Sequence, residues 1–267
     1  MEASETSIGA GLVAPAEAGT PTVSIVIPAF NEAGRIAETI REIEAFGRRS
    51  PYLTEIIVVD DGSRDDTSEI VAQLQTKGLR LIRNKENHGK GHTVRQGVLA
   101  ASGKYVLFTD ADLSAPIEEL NKLLDVATSE GADIVIGSRN LDRRCIEKHQ
   151  SRLRELGGMF FNLMVRWFLG LSLRDTQCGF KLFHREKSRR IFEKQTTPGF
   201  GFDPELLFLA KRYGLKIRET PVRWSHAEGS KVKFLRHGIH MFFDLIRIRW
   251  NAIAGPHRDN PGSKAHQ

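Results

Sequence analysis

The chain is short of several features that would each point to a definite class. It has two cysteines, Cys145 and Cys178, in no metal-like spacing, so neither a disulfide framework nor a cysteine zinc site is expected and both thiols read as reduced. Residues 1–20 are rich in Ala, Gly, Glu and Ser, with neither the basic start nor the apolar run of a signal peptide, and read as a disordered lead-in. A membrane-spanning helix needs about 20 mostly apolar residues. The best stretch, 159–173, is shorter and is interrupted by Arg166, so the chain is expected to touch a membrane without crossing it. No internal repeat is present, and no low-complexity tract lies outside the two ends. No glycine fingerprint follows the first apolar run, where a dinucleotide-binding fold would carry it; Pro28-Ala29-Phe30-Asn31-Glu32 stands there instead. Gly89-Lys90-Gly91-His92-Thr93 lacks the spacing that wraps backbone amides around a phosphate chain, and reads as a loop capping a helix.

What is present suits one large folded unit. The 267 residues, 40% hydrophobic and 27% charged, exclude wholesale disorder and a polytopic membrane protein. A net charge of +6 favours an anionic partner, and a nucleotide, a phospholipid surface or a nucleic acid would all satisfy it. From Val23 on, β-branched runs alternate with amphipathic stretches, the pattern of βαβ crossovers and a mainly parallel sheet. Strands are expected at 23–27, 55–59, 79–82, 104–108 and 133–137. Between them, Ile36, Ile40 and Ile43, then Ile70, Val71 and Leu74, recur at helical spacing. The basic stretch 139–154 suits a mobile loop. Beyond it Leu153, Leu156, Phe160, Leu163, Trp167 and Leu171 predict a very apolar helix. A last helix places Leu235, Ile239, Phe242, Ile246 and Trp250 on one face and Arg236, His240, Asp244 and Arg247 on the other. The expected divisions are a tail at 1–20, a catalytic domain at 21–230, an amphipathic membrane-associating helix at 231–254 and a tail at 255–267.

Two acidic motifs fall at strand ends, where open α/β sheets bind ligands. In Val59-Asp60-Asp61-Gly62-Ser63 an acceptor-only carboxylate can take the N–H of a nucleobase, or an aspartate can simply cap the next helix. Asp110-Ala111-Asp112 sets two carboxylates one residue apart. Desolvated like charges are costly there, and a divalent cation relieves the cost. Mg2+ or Mn2+ held by one or two carboxylates plus a diphosphate is the chemistry such hard oxygen ligands favour.

Together these motifs resemble the inverting glycosyltransferases of family two, with the GT-A fold, from Val23 to about Phe243. Closer still is the polyprenyl-phosphate glycosyltransferase branch, through Asp110-Ala111-Asp112-Leu113-Ser114, Gly137-Ser138-Arg139 and Gly229-Ser230-Lys231. Asp175-Thr176-Gln177-Cys178-Gly179-Phe180-Lys181-Leu182-Phe183 and Phe202-Asp203-Pro204-Glu205-Leu206-Leu207 look most like dolichyl-phosphate β-glucosyltransferases. The resemblance implies that Pro28, Phe30, Glu32, Val59 and Asp61 hold the nucleoside, and that Asp110, Ala111 and Asp112 hold ribose, metal and diphosphate. It sets Arg139 and Lys231 near the phosphates and Arg139 and Arg152 near an acceptor phosphate. Asp203 falls where related enzymes keep a base for a sugar hydroxyl, but Phe202 replaces the preceding acid. A phosphate acceptor, with a second pKa of about 6, needs no strong base, so Asp203 is expected to position groups.

The resemblance therefore implies an α/β, GT-A-like, mainly parallel sheet flanked by helices, with amphipathic C-terminal helices. The implied reaction moves glucose from UDP-glucose to a polyprenyl phosphate such as dolichyl phosphate. A GDP-mannose-dependent enzyme is the nearest rival; a sugar nucleotidyltransferase and a membrane-surface binding protein stand further off. The expected partners are a nucleotide-sugar donor, a polyprenyl-phosphate lipid and a membrane surface, with no nucleic acid. Eukaryotic relatives of this kind carry an N-terminal membrane anchor that this sequence lacks, so the protein is expected to sit peripherally on the cytoplasmic face of a membrane.

Overall fold

The computed structural model describes residues 22–52, 54–148, 152–225, 234–255 and 257. In chain order the elements are β1 (Val23–Ala29), α1 (Ile36–Arg49), β2 (Thr54–Asp60), α2 (Thr67–Gln73), β3 (Leu79–Arg83), α3 (Lys90–Ala100), β4 (Tyr105–Thr109), α4 (Leu120–Ser129), β5 (Ile134–Ser138), β6 (Ile146–Lys148), α5 (Arg152–Leu169), β7 (Phe180–His184), α6 (Arg185–Lys194), α7 (Phe202–Arg212), β8 (Ile217–Pro221), β9 (Trp224–Ser225) and α8 (Phe234–Ala254). Seven strands form one sheet in the order β3-β2-β1-β4-β7-β5-β8, and β6 and β9 form a second, two-stranded sheet. β1 runs parallel to β2 and β4, β2 to β3, and β5 to β8, whereas β7 is antiparallel to both of its neighbours. This is the expected GT-A architecture.

The central strands read as continuous apolar runs because both faces of the sheet are covered. Ile25 and Ile27 point into a layer made with Ile36, Ile40 and Ile43 of α1 and Leu120, Leu123 and Leu124 of α4. Val26, Ile57 and Phe108 point the other way, into a layer shared with Val94, Phe161, Val165, Leu206, Leu245 and Ile248. All five expected strands are present, each starting within one residue of its expected place.

The sequence reading missed four strands for two reasons. β7 carries the charged Lys181 inside an otherwise apolar run and enters antiparallel, outside the βαβ rhythm. β8, β6 and β9 are short or polar, and their partners are distant in sequence. Within the stretch expected as a mobile loop over 139–154, the described residues include a 3-10 turn at Arg143–Cys145 leading into β6, which pairs parallel with β9, and the start of α5 at Arg152; residues 149–151 lie outside the described residues.

The last helix, expected as an amphipathic membrane-associating segment, packs one of its faces inward. α8 lays Leu245, Ile248 and Ala252 into the same core layer as Val26 and Phe108. The tail expected from 255 is ordered at His257, which is almost fully buried, with Nε2 3.1 Å from a carboxylate oxygen of Glu205 and 3.0 Å from the Lys194 carbonyl. Residues 1–20 lie outside the described residues.

Candidate active site

The chain runs outward from β1 through β2 to β3, then returns to place β4 on the other side of β1. That reversal opens a crevice at the carboxyl ends of β1 and β4, the position where α/β sheets take their ligands. The motifs of β1, β2 and β4 all end on this edge.

After β1, Asn31 adopts φ +54°, a conformation Asn tolerates better than most residues. Its side-chain oxygen accepts the Arg64 N–H at 2.7 Å, and its own N–H donates to Ser63 Oγ at 2.8 Å. The Glu32 N–H donates to Thr67 Oγ1 at 2.8 Å, and the Glu32 carboxylate lies 3.0 Å from Arg35 Nε. These bonds stitch the turn carrying Pro28, Phe30 and Glu32 to the loop after β2.

The two aspartates ending β2 divide their work, and neither caps α2. Asp60 accepts the Ser63 N–H at 2.9 Å and the hydroxyls of Ser63 and Ser68, which shapes its own loop. Asp61 reaches across to the loop between β3 and α3, accepting from Asn84 Nδ2 at 3.1 Å, the His88 N–H at 3.0 Å and the Gly89 N–H at 2.8 Å. Asp61 thus supports the wall beside the expected nucleoside position, and Val59 is buried beneath it.

The Asp110-Ala111-Asp112 turn is held from three sides. Thr39 of α1 donates its hydroxyl to the Ala111 carbonyl at 2.6 Å, the Asp110 N–H donates to the Gly179 carbonyl at 3.2 Å, and the Ser225 N–H of β9 donates to the Ser114 carbonyl at 2.8 Å. Leu113 sits at φ +44°, a strained value for a branched residue of the kind found where a loop is shaped for a ligand. Asp112 Oδ1 accepts the Ser114 N–H at 3.0 Å. Gly179 is required here: a Cβ on it would fall 2.0 Å from Asp110 Oδ2.

Beneath the turn lies an alternating chain of charge. Lys90, the first residue of α3, reaches Asp110 Oδ1 at 2.6 Å. Burial pulls the Lys90 ammonium down, but Asp110, with Asp203 and Asp112 behind it, more than reverses this and leaves its pKa above the ordinary lysine value. Lys181 of β7 is buried and donates at 2.6 Å to both the Cys178 carbonyl and Asp203 Oδ1. Burial raises the Asp203 carboxyl above the usual range, and Lys181 and Lys90 only partly offset it.

On the far side of the crevice the Arg139 guanidinium is gripped by Asp175, with Nε 2.7 Å and Nη2 2.8 Å from its two oxygens, and lies 5.4 Å from the Trp224 ring centroid. Asp175 is buried, which alone would raise its pKa, yet Arg139 holds it below the usual carboxylate range. Burial, with Asp175 adding to it, pushes the Cys178 thiol up to about 12, so it stays protonated and inert. Arg152 opens α5, but its side chain, like all of Lys231, lies outside the described residues.

Among the described residues no group of three or more His, Cys, Asp or Glu side chains could hold a metal unaided. Asp112 and Asp110 do fit a hard dication that takes its remaining ligands from a diphosphate, the usual arrangement for Mg2+. Sequence reasoning placed the two acidic motifs on this edge but missed Lys90, Lys181 and Asp175. The available signals were a lysine between two glycines at a helix start and a lysine inside the apolar run of β7.

The sequence profile described as glycosyl transferase family 2 matches residues 24–192. A dolichyl-phosphate beta-glucosyltransferase of Dictyostelium discoideum is 34% identical over 87% of this chain and 75% of its own length. A protein of the same name from Saccharomyces cerevisiae is 36% identical over 89% and 77%. Among solved structures, glucosyl-3-phosphoglycerate synthase from Mycobacterium tuberculosis, in complex with Mn2+, UDP-glucose and phosphoglyceric acid, superposes with a TM-score of 0.63 at 24% identity, covering 87% of this chain and 80% of that one, and shares the fold.

Proposed function

The chain belongs to glycosyl transferase family 2, and from that premise we propose that it transfers glucose, with inversion, from UDP-glucose to a dolichyl or related polyprenyl phosphate. The observation that carries the proposal is that one sheet edge, at a topological switch point, gathers Asp61, Asp110 and Asp112 from β2 and β4 beside the turn after β1. Curated relatives sharing one name over most of this chain support the choice of sugar and lipid.

In this reading Pro28, Phe30, Glu32, Val59 and Asp61 receive the uridine, and Asp110, Ala111 and Asp112 receive the ribose and diphosphate. Asp112, with Asp110, would hold Mg2+ or Mn2+, which when bound supplies Lewis-acid stabilisation of the departing diphosphate. An acceptor phosphate oxygen attacks the anomeric carbon from the face opposite the leaving group; the new C–O bond forms as the bond to the UDP β-phosphate oxygen breaks, and that oxygen takes the electron pair. Arg139, held rigid by Asp175, sets a fixed positive charge near the growing negative charge at no reorganisation cost. Lys231 serves the same phosphates, Arg152 takes the acceptor phosphate, and Asp203 positions Lys181.

The acceptor's tail requires a lipid surface at the crevice. No helix among the described residues is long and apolar enough to cross a membrane. α5 and α8 instead expose Phe160, Leu163 and Trp167, and Phe243, Ile246, Trp250 and Ile253, with Arg166 and Arg249 also exposed to meet anionic headgroups. We infer that this face lies on the bilayer.

The test is a donor and acceptor panel: UDP-glucose and GDP-mannose, each with dolichyl phosphate and a bacterial polyprenyl phosphate, read by released nucleotide and labelled lipid. UDP and glucosylated lipid are expected from UDP-glucose alone. Turnover with GDP-mannose in its place would overturn the sugar assignment, and turnover only with a water-soluble acceptor would overturn the lipid.

A further inference from the structure

Lys90 already supplies a cation where the proposed chemistry calls for one. It sits between Gly89, at φ +100°, and Gly91, whose Cβ would fall 2.6 Å from both the Phe202 Cβ and the Thr197 carbonyl oxygen, so the backbone that aims it has little room to shift. Its ammonium lies 5.4 Å from the Phe108 ring centroid and 5.8 Å from that of Phe200. Its partner is equally constrained, because Asp110 Oδ2 presses on Gly179 while Oδ1 faces Lys90 at 2.6 Å. One Asp110 oxygen is therefore engaged by the ammonium and the other lies against Gly179. An ammonium and a dication cannot share one carboxylate oxygen without strong repulsion at contact distance. A free ion would meet Asp112 alone, which is too little to strip water from a strongly hydrated cation.

We propose that Lys90 bars Asp110 to a free divalent cation and gives it up only to one arriving with the donor diphosphate, whose charge takes over the ammonium, so that metal and nucleotide enter as a single complex. This rests on the nucleotide-sugar reading above. It makes Lys90 a positioning residue: in the empty crevice it is a stand-in cation, and in the loaded crevice a phosphate contact. The remaining carboxylates near it, Asp112 and Asp203, do not remove the need for the exchange, because Asp203 is engaged by Lys181 and Asp112 faces the incoming metal.

Mn2+ binding to the full chain, followed by the loss of the free-ion electron paramagnetic resonance signal, tests the exchange with and without UDP. Wild type is expected to bind Mn2+ at least about tenfold more tightly with UDP, a coupling of ordinary size. Lys90→Gln is expected to bind Mn2+ without UDP about tenfold more tightly than wild type does, so that its UDP effect shrinks by about that factor while the part owed to diphosphate oxygens on the metal remains. Unchanged UDP-free affinity in a folded Lys90→Gln, beside a normal UDP effect in wild type, would overturn the exchange and leave the nucleotide reading intact. Absence of any UDP effect in wild type would overturn the nucleotide reading itself. Asp110→Asn checks the same point without altering Lys90: its UDP-free Mn2+ affinity should equal that of wild type, and a clear fall would show that Asp110 was open to the metal all along.

Discussion

The carboxyl edge of the sheet and the outer face of α5 and α8 break opposite rules of a soluble protein. At the edge, Asp60, Asp61, Asp175, Lys181 and Asp203 are charged groups held away from water, each answered by a neighbour at hydrogen-bond distance. On the helical face the reverse holds: Trp167 is 80% exposed, Trp250 66% and Phe243 61%. Scattered exposed apolar residues are ordinary, but a row at helical spacing on two packed helices marks a surface that meets something apolar. The edge is finished internally and has to be rigid. The face is unfinished, and in the proposed function its missing part is the membrane.

The sharpest break in that comparison is expected from Asp112→Asn. If the edge works by fixed charge at the diphosphate, transfer measured with labelled lipid should fall roughly 10^2–10^3-fold, with the melting temperature little changed. EDTA should do the same to wild type, and full activity in chelator with metal-free protein would refute the assignment. Gly179→Ala comes next. Its methyl group would displace Asp110, and a misplacement of that size is expected to cost on the order of 10^2-fold in kcat, with Asp112 untouched.

A third change tests rigidity. Asp175→Asn keeps the shape of the grip on Arg139 but removes its charge, and urea melts at neutral pH should show a loss of about 1.5–3 kcal/mol. Asp175 has a depressed folded pKa, so its contribution is present above the unfolded aspartate value of about 3.9 and is lost as pH falls through the lower folded one. The acid limb of the wild-type stability curve should therefore flatten in the variant. If the variant's curve keeps the wild-type slope, the grip is not what acid breaks.

The smallest effect belongs to the face. Phe243→Glu with Trp250→Glu should weaken flotation with anionic liposomes by roughly tenfold, yet shift stability by no more than about 0.5 kcal/mol, as surface changes do. Phe242→Glu is the contrast, because that half-buried ring packs edge-on against Phe168 at 5.8 Å between centroids, and the variant should lose stability. Wild type that fails to float at low salt would remove the membrane from the account.

That contrast also shows where the sequence stopped being legible. Periodicity found α5 and α8, and it found β1 to β5 because parallel crossovers repeat a simple apolar rhythm. It could not say which apolar stripe of α8 faces in. The chain carries two, Leu245, Ile248 and Ala252 inward and Phe243, Ile246, Trp250 and Ile253 outward, and the expected face mixed them by grouping Phe242 with Ile246 and Trp250. At the site, Asp110 and Asp112 could be read because two carboxylates at a strand end need a cause. Lys90 and Lys181 stood out only as oddly placed lysines, and their pairing could not be read, since their partners Asp110 and Asp203 lie about 20 residues further along the chain and only the folded sheet brings them together.

The antiparallel insertion of β7 has a consequence for how the protein is made. β5 pairs only with β7 and β8, both of which follow it in the chain, whereas β1 to β4 find all but one of their partners among themselves. A nascent chain can thus close the four-stranded donor half as it leaves the ribosome. Ile134, Val135 and Ile136 must then wait for about 40 further residues, a few seconds of synthesis, before a neighbouring strand exists. That interval is when an apolar strand with two open edges is most exposed to pairing with another copy, so the yield of folded protein should depend more on translation speed across 139–184 than on any earlier stretch.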